Sequence, residues 1–177
     1  IFLKAKDANL YRLAYKRLQF NPEVFFNLLQ QQTKAPDGWQ YLGISIGNPQ
    51  GSNIILKVCN PYCGPCAQMH PVLKDLIKAN EDIPIRIIFT TYQNDSDNGF
   101  FIVRHLMAIA EEGDASKTRQ SLDDWYTAEK KEYDFFAAKY LTNGGLGRQD
   151  SKIEAMRKWC DDAEITHTPT IFVNGYK

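Results

Sequence analysis

The stretch NPYCGPCAQMHP, Asn60 to Pro71, decides how the rest of the chain is read. It holds two cysteines separated by Gly64 and Pro65, with a histidine and a second proline close behind. Its position is as telling as its composition. IILKVC, residues 54 to 59, is rich in β-branched residues and reads as a strand, and the residues after Cys63 read as a helix continuing to about Asn80. Cys63 therefore falls where a strand stops and a helix begins, with Pro65 suited to the first turn. At a helix N-terminus the unpaired N–H groups and the helix dipole favour a thiolate, so a lowered thiol pKa is expected at Cys63. Cys66, one turn further in, shares its face and lies within disulfide reach. In such a dithiol the outer sulfur attacks a disulfide and the inner one resolves the mixed disulfide.

Outward from this site the chain alternates between strand and helix patterns. DANLYRLAYKRLQF has apolar residues at helical spacing, and Asn21-Pro22 caps a second helix, PEVFFNLLQQQ. Residues 1–35 thus form a helical arm, followed by a domain over 36–177. In the arm, Lys4, Lys6, Arg12, Lys16 and Arg17 face one acid, Asp7, which reads as a solvated helix face, with a membrane-adjacent linker as the alternative. Tyr41 to Gly47 alternates like a strand, Pro84 to Tyr92 is a third, and TPTIFVNG, 168 to 175, is a last strand running into an Asn-Gly turn. Between the last two lies a helical insertion over about 98–164, in three pieces: NGFFIVRHLMAIAEEG, QSLDDWYTAEKKEYDFFAAKYL and SKIEAMRKWCDDA. The order predicts an α/β domain with a helical insertion.

Bulk properties narrow the options. A chain of 177 residues supports one well-buried core. Lys+Arg and Asp+Glu both number 21, so no general attraction to nucleic acid is expected. No apolar run has the length of a membrane span, and no signal-peptide pattern is present. The chain begins with Ile1, which leads us to expect a piece of a longer precursor whose targeting signal or anchor preceded it. Four cysteines, three of them between Cys59 and Cys66, point to local chemistry rather than a disulfide scaffold.

YCGPC, Pro71 as a helix-kinking proline, and THTPTIFVNG as a cis-proline loop with its strand together resemble the thioredoxin superfamily over residues 41 to 177. The helical insertion resembles the Dsb-type disulfide oxidoreductases of the periplasm. NPYCGPCAQMHP with the preceding arm is also similar to the thioredoxin-like domains fused to bacterial membrane proteins of the vitamin K epoxide reductase family. The resemblance implies a thioredoxin-like fold and a thiol–disulfide oxidoreductase in which Cys63 attacks and Cys66 resolves. It implies that Thr168 and Pro169 position the substrate backbone, with Pro169 cis, and that Tyr62 and His167 border the substrate. No dissociable cofactor and no metal is expected. The implied partners are protein dithiols and disulfides and a membrane quinone-linked oxidase of the same precursor. The implied location is extracytoplasmic, in a bacterial periplasm and tethered to the membrane.

Three departures stand out. Where thioredoxins carry a buried acid, six residues before the first cysteine, this chain has Lys57, which with Gly64 and Pro65 is expected to tune the pair. Tyr62 replaces the usual tryptophan, and where the fold normally adds an edge strand and a final helix after Asn174-Gly175 we expect either their absence from this sequence or closure of the domain by another element. Gly-Pro between the cysteines resembles thioredoxin, a reductant at about −270 mV, whereas the insertion resembles oxidants near about −120 mV.

Rival readings remain. CNPYCGPC has the C-x3-C-x2-C spacing of radical S-adenosylmethionine enzymes, but these need a larger barrel and an aromatic where Gly64 stands. Zinc at Cys63, Cys66 and His70 would require a distant fourth ligand such as Cys160, His105 or His167. A redox-silent module binding a peptide or metal is the competing class. Cys59 and Cys160 read as core cysteines, with a disulfide between them as the alternative, and His70 and His105 as ordinary helix residues. Phe100, Phe101, Phe135 and Phe136 suit packing of the insertion, an exposed subset being available for a peptide groove.

Overall fold

The computed structural model describes residues 2–80, 82–91 and 98–177. Ile1 and Tyr92, the end of the expected third strand, lie outside the described residues, as do the side chains of Lys4, Lys6 and Asp7. Four strands, β1 (Ile44–Ile46), β2 (Ile55–Cys59), β3 (Ile85–Phe89) and β4 (Thr170–Val173), form one sheet in the order β1-β3-β2-β4. The central pair β2 and β3 is parallel, and β1 and β4 flank it antiparallel. Asn174 and Gly175 both have positive φ, 52° and 84°, the conformation of a two-residue hairpin turn. Tyr176 then bridges back to Val173 and across to Lys34.

The seven helices described are α1 (Phe2–Gln19), α2 (Pro22–Leu29), α3 (Gly64–Ala79), α4 (Asn98–Glu111), α5 (Ala115–Thr127), α6 (Tyr133–Lys139) and α7 (Asp150–Asp162). Asn21 caps α2 as expected, its Oδ1 accepting from the N–H groups of Glu23 and Val24 at 2.9 and 3.3 Å. No residue from 8 to 34 is buried; Ala35 and Trp39 are the first to enter the core.

Both faces of the sheet are covered. Residues 56 and 58 of β2 share one face and 57 and 59 the other. Phe172, opposite Leu56, meets Trp159 of α7 on the first face. On the second, the side chains of Lys57 and Cys59 meet α3 and α5. The insertion is stitched together by polar contacts as well as packing. Arg104 of α4 donates from Nη2 to Asp150 of α7 at 2.9 Å, pairs with it ionically at 2.8 Å and donates from Nε to the Leu146 carbonyl at 3.1 Å, and buried His105 hydrogen-bonds to the Tyr140 carbonyl at 2.6 Å. Phe100 and Phe136 are buried, whereas Phe135 is 75% exposed.

Two expected elements differ. The first strand is three residues long, because Trp39–Tyr41 turn as a short 3-10 helix and Gly43 adopts a φ of +66°. The helix expected over 120–141 is two, α5 and α6, interrupted where Ala128 turns extended.

Candidate functional site

Cys63 is the N-cap of α3: its backbone is extended (φ −71°, ψ 120°) and its Sγ accepts from the Cys66 N–H at 3.3 Å. Pro65 lies in the first turn, and the helix runs through Pro71. The loop before it is tied down from three sides. Asn60 donates to the Thr90 carbonyl at 2.9 Å and accepts from the Tyr62 N–H at 2.8 Å, while the Trp125 indole of α5 donates to the Pro61 carbonyl at 2.9 Å. Tyr62 stands edge-on to that indole, 5.4 Å between ring centres, and is 38% exposed. Gly64 and Pro65 are exposed, Cys63 is half-buried and Cys66 has no exposed surface.

The loop before β4 meets the dithiol. The Thr168–Pro169 peptide is cis, and the Cys63 thiol donates to the Thr168 carbonyl at 3.3 Å. Residues 105 apart in sequence thus form one surface, with a thiol on one side and a backbone carbonyl on the other. His167 is exposed, its ring bonded to Thr166 Oγ1 at 3.3 Å and its carbonyl accepting from Thr170 at 2.7 Å; among the described residues no hydrogen bond joins it to either cysteine.

The two thiols are electrostatically unequal. Burial pushes the Cys63 thiol up from its ordinary value, as does its contact with the Cys66 sulfur; the Thr168 side chain and the Cys66 N–H pull it the other way. This corrects the expectation of a lowered value at the helix N-terminus, because desolvation is the larger effect. A hydrogen bond with Cys59, then burial, pushes Cys66 much further up, so Cys63 is the more readily ionised of the pair.

Lys57 lies directly behind the pair, on the α3 side of the sheet. It is fully buried, its Nζ donates to the Cys66 carbonyl at 3.2 Å, and it sits 4.5 Å from the ring centre of Tyr126. The Tyr126 hydroxyl in turn contacts the Cys59 sulfur at 2.9 Å. His70 stacks on the Tyr126 ring and bonds through Nε2 to Asp123 at 2.7 Å. All four cysteines are free; Cys160 is buried, and burial pushes its thiol up to about 12. Asp123, Trp125 and Tyr126 all come from α5, and no local pattern in the sequence assigns them to this site. A cavity of about 710 Å³ runs along α3 and α5 behind the dithiol and borders Lys57, His70 and Asp123, and another of about 560 Å³ lies beside β1; neither is lined by Cys63 or Pro169.

Residues 41–177 match the family described as Thioredoxin. No curated protein matches the sequence. Among solved structures the fold is similar to ScsC of Proteus mirabilis in a transitional conformation (TM-score 0.66, 11% identity, 96% of this chain and 88% of that one). It is also similar to oxidised BdbD of Bacillus subtilis (0.64, 11%, 81% and 87%) and to the thiol–disulfide exchange protein alpha-DsbA2 of Wolbachia pipientis (0.62, 14%, 74% and 75%).

Proposed function

This chain belongs to the thioredoxin family, and from that premise we propose that it is a thiol–disulfide oxidoreductase acting on proteins through the dithiol of Cys63 and Cys66. The observation that carries this reading is the half-buried Cys63 sulfur held between the Cys66 N–H and the Thr168 carbonyl, with buried Cys66 beneath it. In the reducing direction the Cys63 thiolate attacks one sulfur of a client disulfide and expels the other as a thiolate. Cys66 then attacks the Cys63 sulfur, the client leaves with both electrons, and the Cys63–Cys66 disulfide remains. Oxidation of a client dithiol is the same path reversed.

Substrate binding follows from the surface beside Cys63. Thr168 and Pro169 offer backbone to an extended client segment, and exposed Tyr62 and His167 flank it. Gly64 and Pro65 leave the approach to Cys63 open, since a Cβ at Gly64 would meet no atom within 4 Å.

The setting we propose is extracytoplasmic, in a bacterial periplasm, where disulfides persist. The partner we propose is a membrane quinone-linked oxidase of the vitamin K epoxide reductase type, on the similarity of residues 60–71 and the arm. Tethering to it would raise the effective concentration of the two dithiols. No helix among the described residues is long and apolar enough to cross a membrane.

The test is to express Cys66→Ser protein in its native membranes and identify what is trapped on Cys63. A membrane oxidase and client proteins are expected. Soluble reductases or glutathione alone would refute the oxidase partner, and no Cys63-dependent adduct at all would favour the redox-silent binding module.

A further inference from the structure

The third cysteine of the cluster has no part in the exchange just described, yet it is built into the site. Cys59 and Lys57 are two apart on β2 and so share the face covered by α3 and α5. Both are fully buried. A buried ammonium is costly unless an anion or several dipoles offset it. Lys57 has the Cys66 carbonyl and the Tyr126 ring, but no ion pair joins it to a carboxylate among the described residues. Of the two acids bordering the same cavity, Asp123 is taken up by His70 at 2.7 Å and by Lys74, and Asp82 accepts from the Asn48 side chain at 3.3 Å. An anion on the same face would offset an ammonium there.

We propose that this anion is the Cys59 thiolate, and that Cys59 is the proton acceptor for Cys66. The proposal rests on the oxidoreductase reading of the Cys63–Cys66 pair. The Tyr126 hydroxyl lies 2.9 Å from the Cys59 sulfur, either atom able to donate, and the Cys66 thiol is the neighbouring thiol that acts on it. Tyr126 also locks the arrangement, because its ring face lies against Lys57 while its hydroxyl reaches Cys59. The titratable groups around Cys59 are Lys57 on its own strand, Cys63 and Cys66 at α3 and Tyr126 on α5, with His70 stacked behind that ring and Lys131 5.5 Å from it. From β3 the register partner is Phe89, which carries no charge.

The ionisation balance agrees with this geometry. Burial alone would push the Cys59 thiol up, but the Cys66 hydrogen bond, the Lys57 charge and the Tyr126 hydroxyl together bring it below its ordinary value, while Cys66 rises. Cys59 therefore ionises before Cys66, which puts an acceptor beside the thiol that must lose its proton. Lys57 is a poorer acceptor, since its Nζ is directed at the Cys66 carbonyl as a donor.

The step balances. With a client joined to Cys63, the Cys66 S–H proton passes to the Cys59 thiolate as the Cys66 sulfur attacks the Cys63 sulfur. The Cys63–Cys66 bond forms, the bond between Cys63 and the client breaks, and the client departs as a thiolate. Cys59 ends as a thiol and gives its proton to solvent or the departing client; in the oxidising direction it returns the proton to Cys66. In this step Cys59 takes the proton of a reacting sulfur and is the catalytic residue, whereas Lys57 and Tyr126 are positioning residues.

Two measurements test this. The ultraviolet absorbance of thiolate is titrated in reduced Cys63→Ser protein, where Cys160, pushed up to about 12, stays silent. We expect a thiolate ionising below the ordinary thiol range, abolished by adding Cys59→Ser and moved to higher pH by adding Lys57→Met or Tyr126→Phe. Second, resolution of a preformed mixed disulfide is followed against pH. Cys59→Ser should slow it by about 100-fold and make it climb about tenfold per pH unit, as loss of a general base does. A thiolate signal that survives Cys59→Ser, or a resolution rate and pH profile unchanged by it while the parent exchanges disulfides, would overturn the Cys59 assignment alone. A parent that exchanges no disulfides would overturn the oxidoreductase reading and the assignment with it.

Discussion

The indole Nε1 of Trp125 donates to the carbonyl oxygen of Pro61 at 2.9 Å, joining helix α5 of the insertion to the loop that presents Cys63. The contact is buried, and the same ring supports Tyr62 edge-on. Trp125→Phe leaves the Pro61 carbonyl without this donor and opens space beside it. The expected loss is about 1–3 kcal/mol in urea unfolding, with a changed alkylation rate at Cys63. Unchanged values for both would show that the loop holds its shape without α5.

Thiol labelling should follow the burial and ionisation asymmetry of the pair. Alkylation of reduced protein, mapped by mass spectrometry, should modify Cys63 at least about tenfold faster than Cys66. Because burial raises the Cys63 thiol, its rate should rise with pH through the neutral range, with no plateau at mildly acidic pH. Earlier labelling of Cys66 or Cys59 would contradict Cys63 as the attacking thiol.

Acid should loosen the α3–α5 contact through His70. Burial, then the Lys57 charge against the Asp123 hydrogen bond, leaves this imidazole below its ordinary value. The unfolded chain therefore takes up a proton that the fold resists, so stability is present above about pH 6.5 and falls as pH drops below it, by at most about 1.4 kcal/mol per pH unit. His70→Gln should flatten that acid limb in urea titrations. A limb as steep as in the parent would assign the acid sensitivity to other groups.

Two glycines should respond oppositely to alanine. At Gly43 a Cβ would lie 1.9 Å from the Ile87 carbonyl oxygen and φ is +66°, so Gly43→Ala should cost at least about 2 kcal/mol. At Gly64 a Cβ meets nothing within 4 Å, and alanine should change stability by no more than about 0.5 kcal/mol. Any shift in redox equilibrium of Gly64→Ala is then a property of the dithiol rather than of a damaged fold.

The parts of the site legible in sequence are those that local chain chemistry dictates. A β-branched run ending at Cys59, followed by a cysteine that can cap and a proline tolerated in a first turn, has few foldings other than strand, turn and helix. Asn174-Gly175 announces its turn just as locally. Lys57 is ambiguous in sequence because alternation along β2 separates two faces without saying which meets the cysteine helix, and both faces prove to be covered. Cys59 reads as a core residue, and it is one; its bond to Tyr126 spans 67 residues and leaves no local trace. The gap between α5 and α6 is equally hidden, since AEKKE contains no glycine or proline to mark it.

Cys63 is the cap of α3 and, in the exchange we propose, also the sulfur that changes oxidation state. Those two roles belong to one thermodynamic cycle. Whatever the Cys66 N–H contributes by holding a reduced Cys63 sulfur is a contribution to the fold of the reduced protein over its unfolded chain. By closure of the cycle, the same quantity displaces the dithiol–disulfide equilibrium of the folded protein from that of the unfolded one. The unfolding free energies of the oxidised and reduced proteins therefore report the oxidising strength of the site, without a redox buffer. If the reduced protein is the harder to unfold, electrons flow towards Cys63 and Cys66; if it is the easier, they flow away to the client.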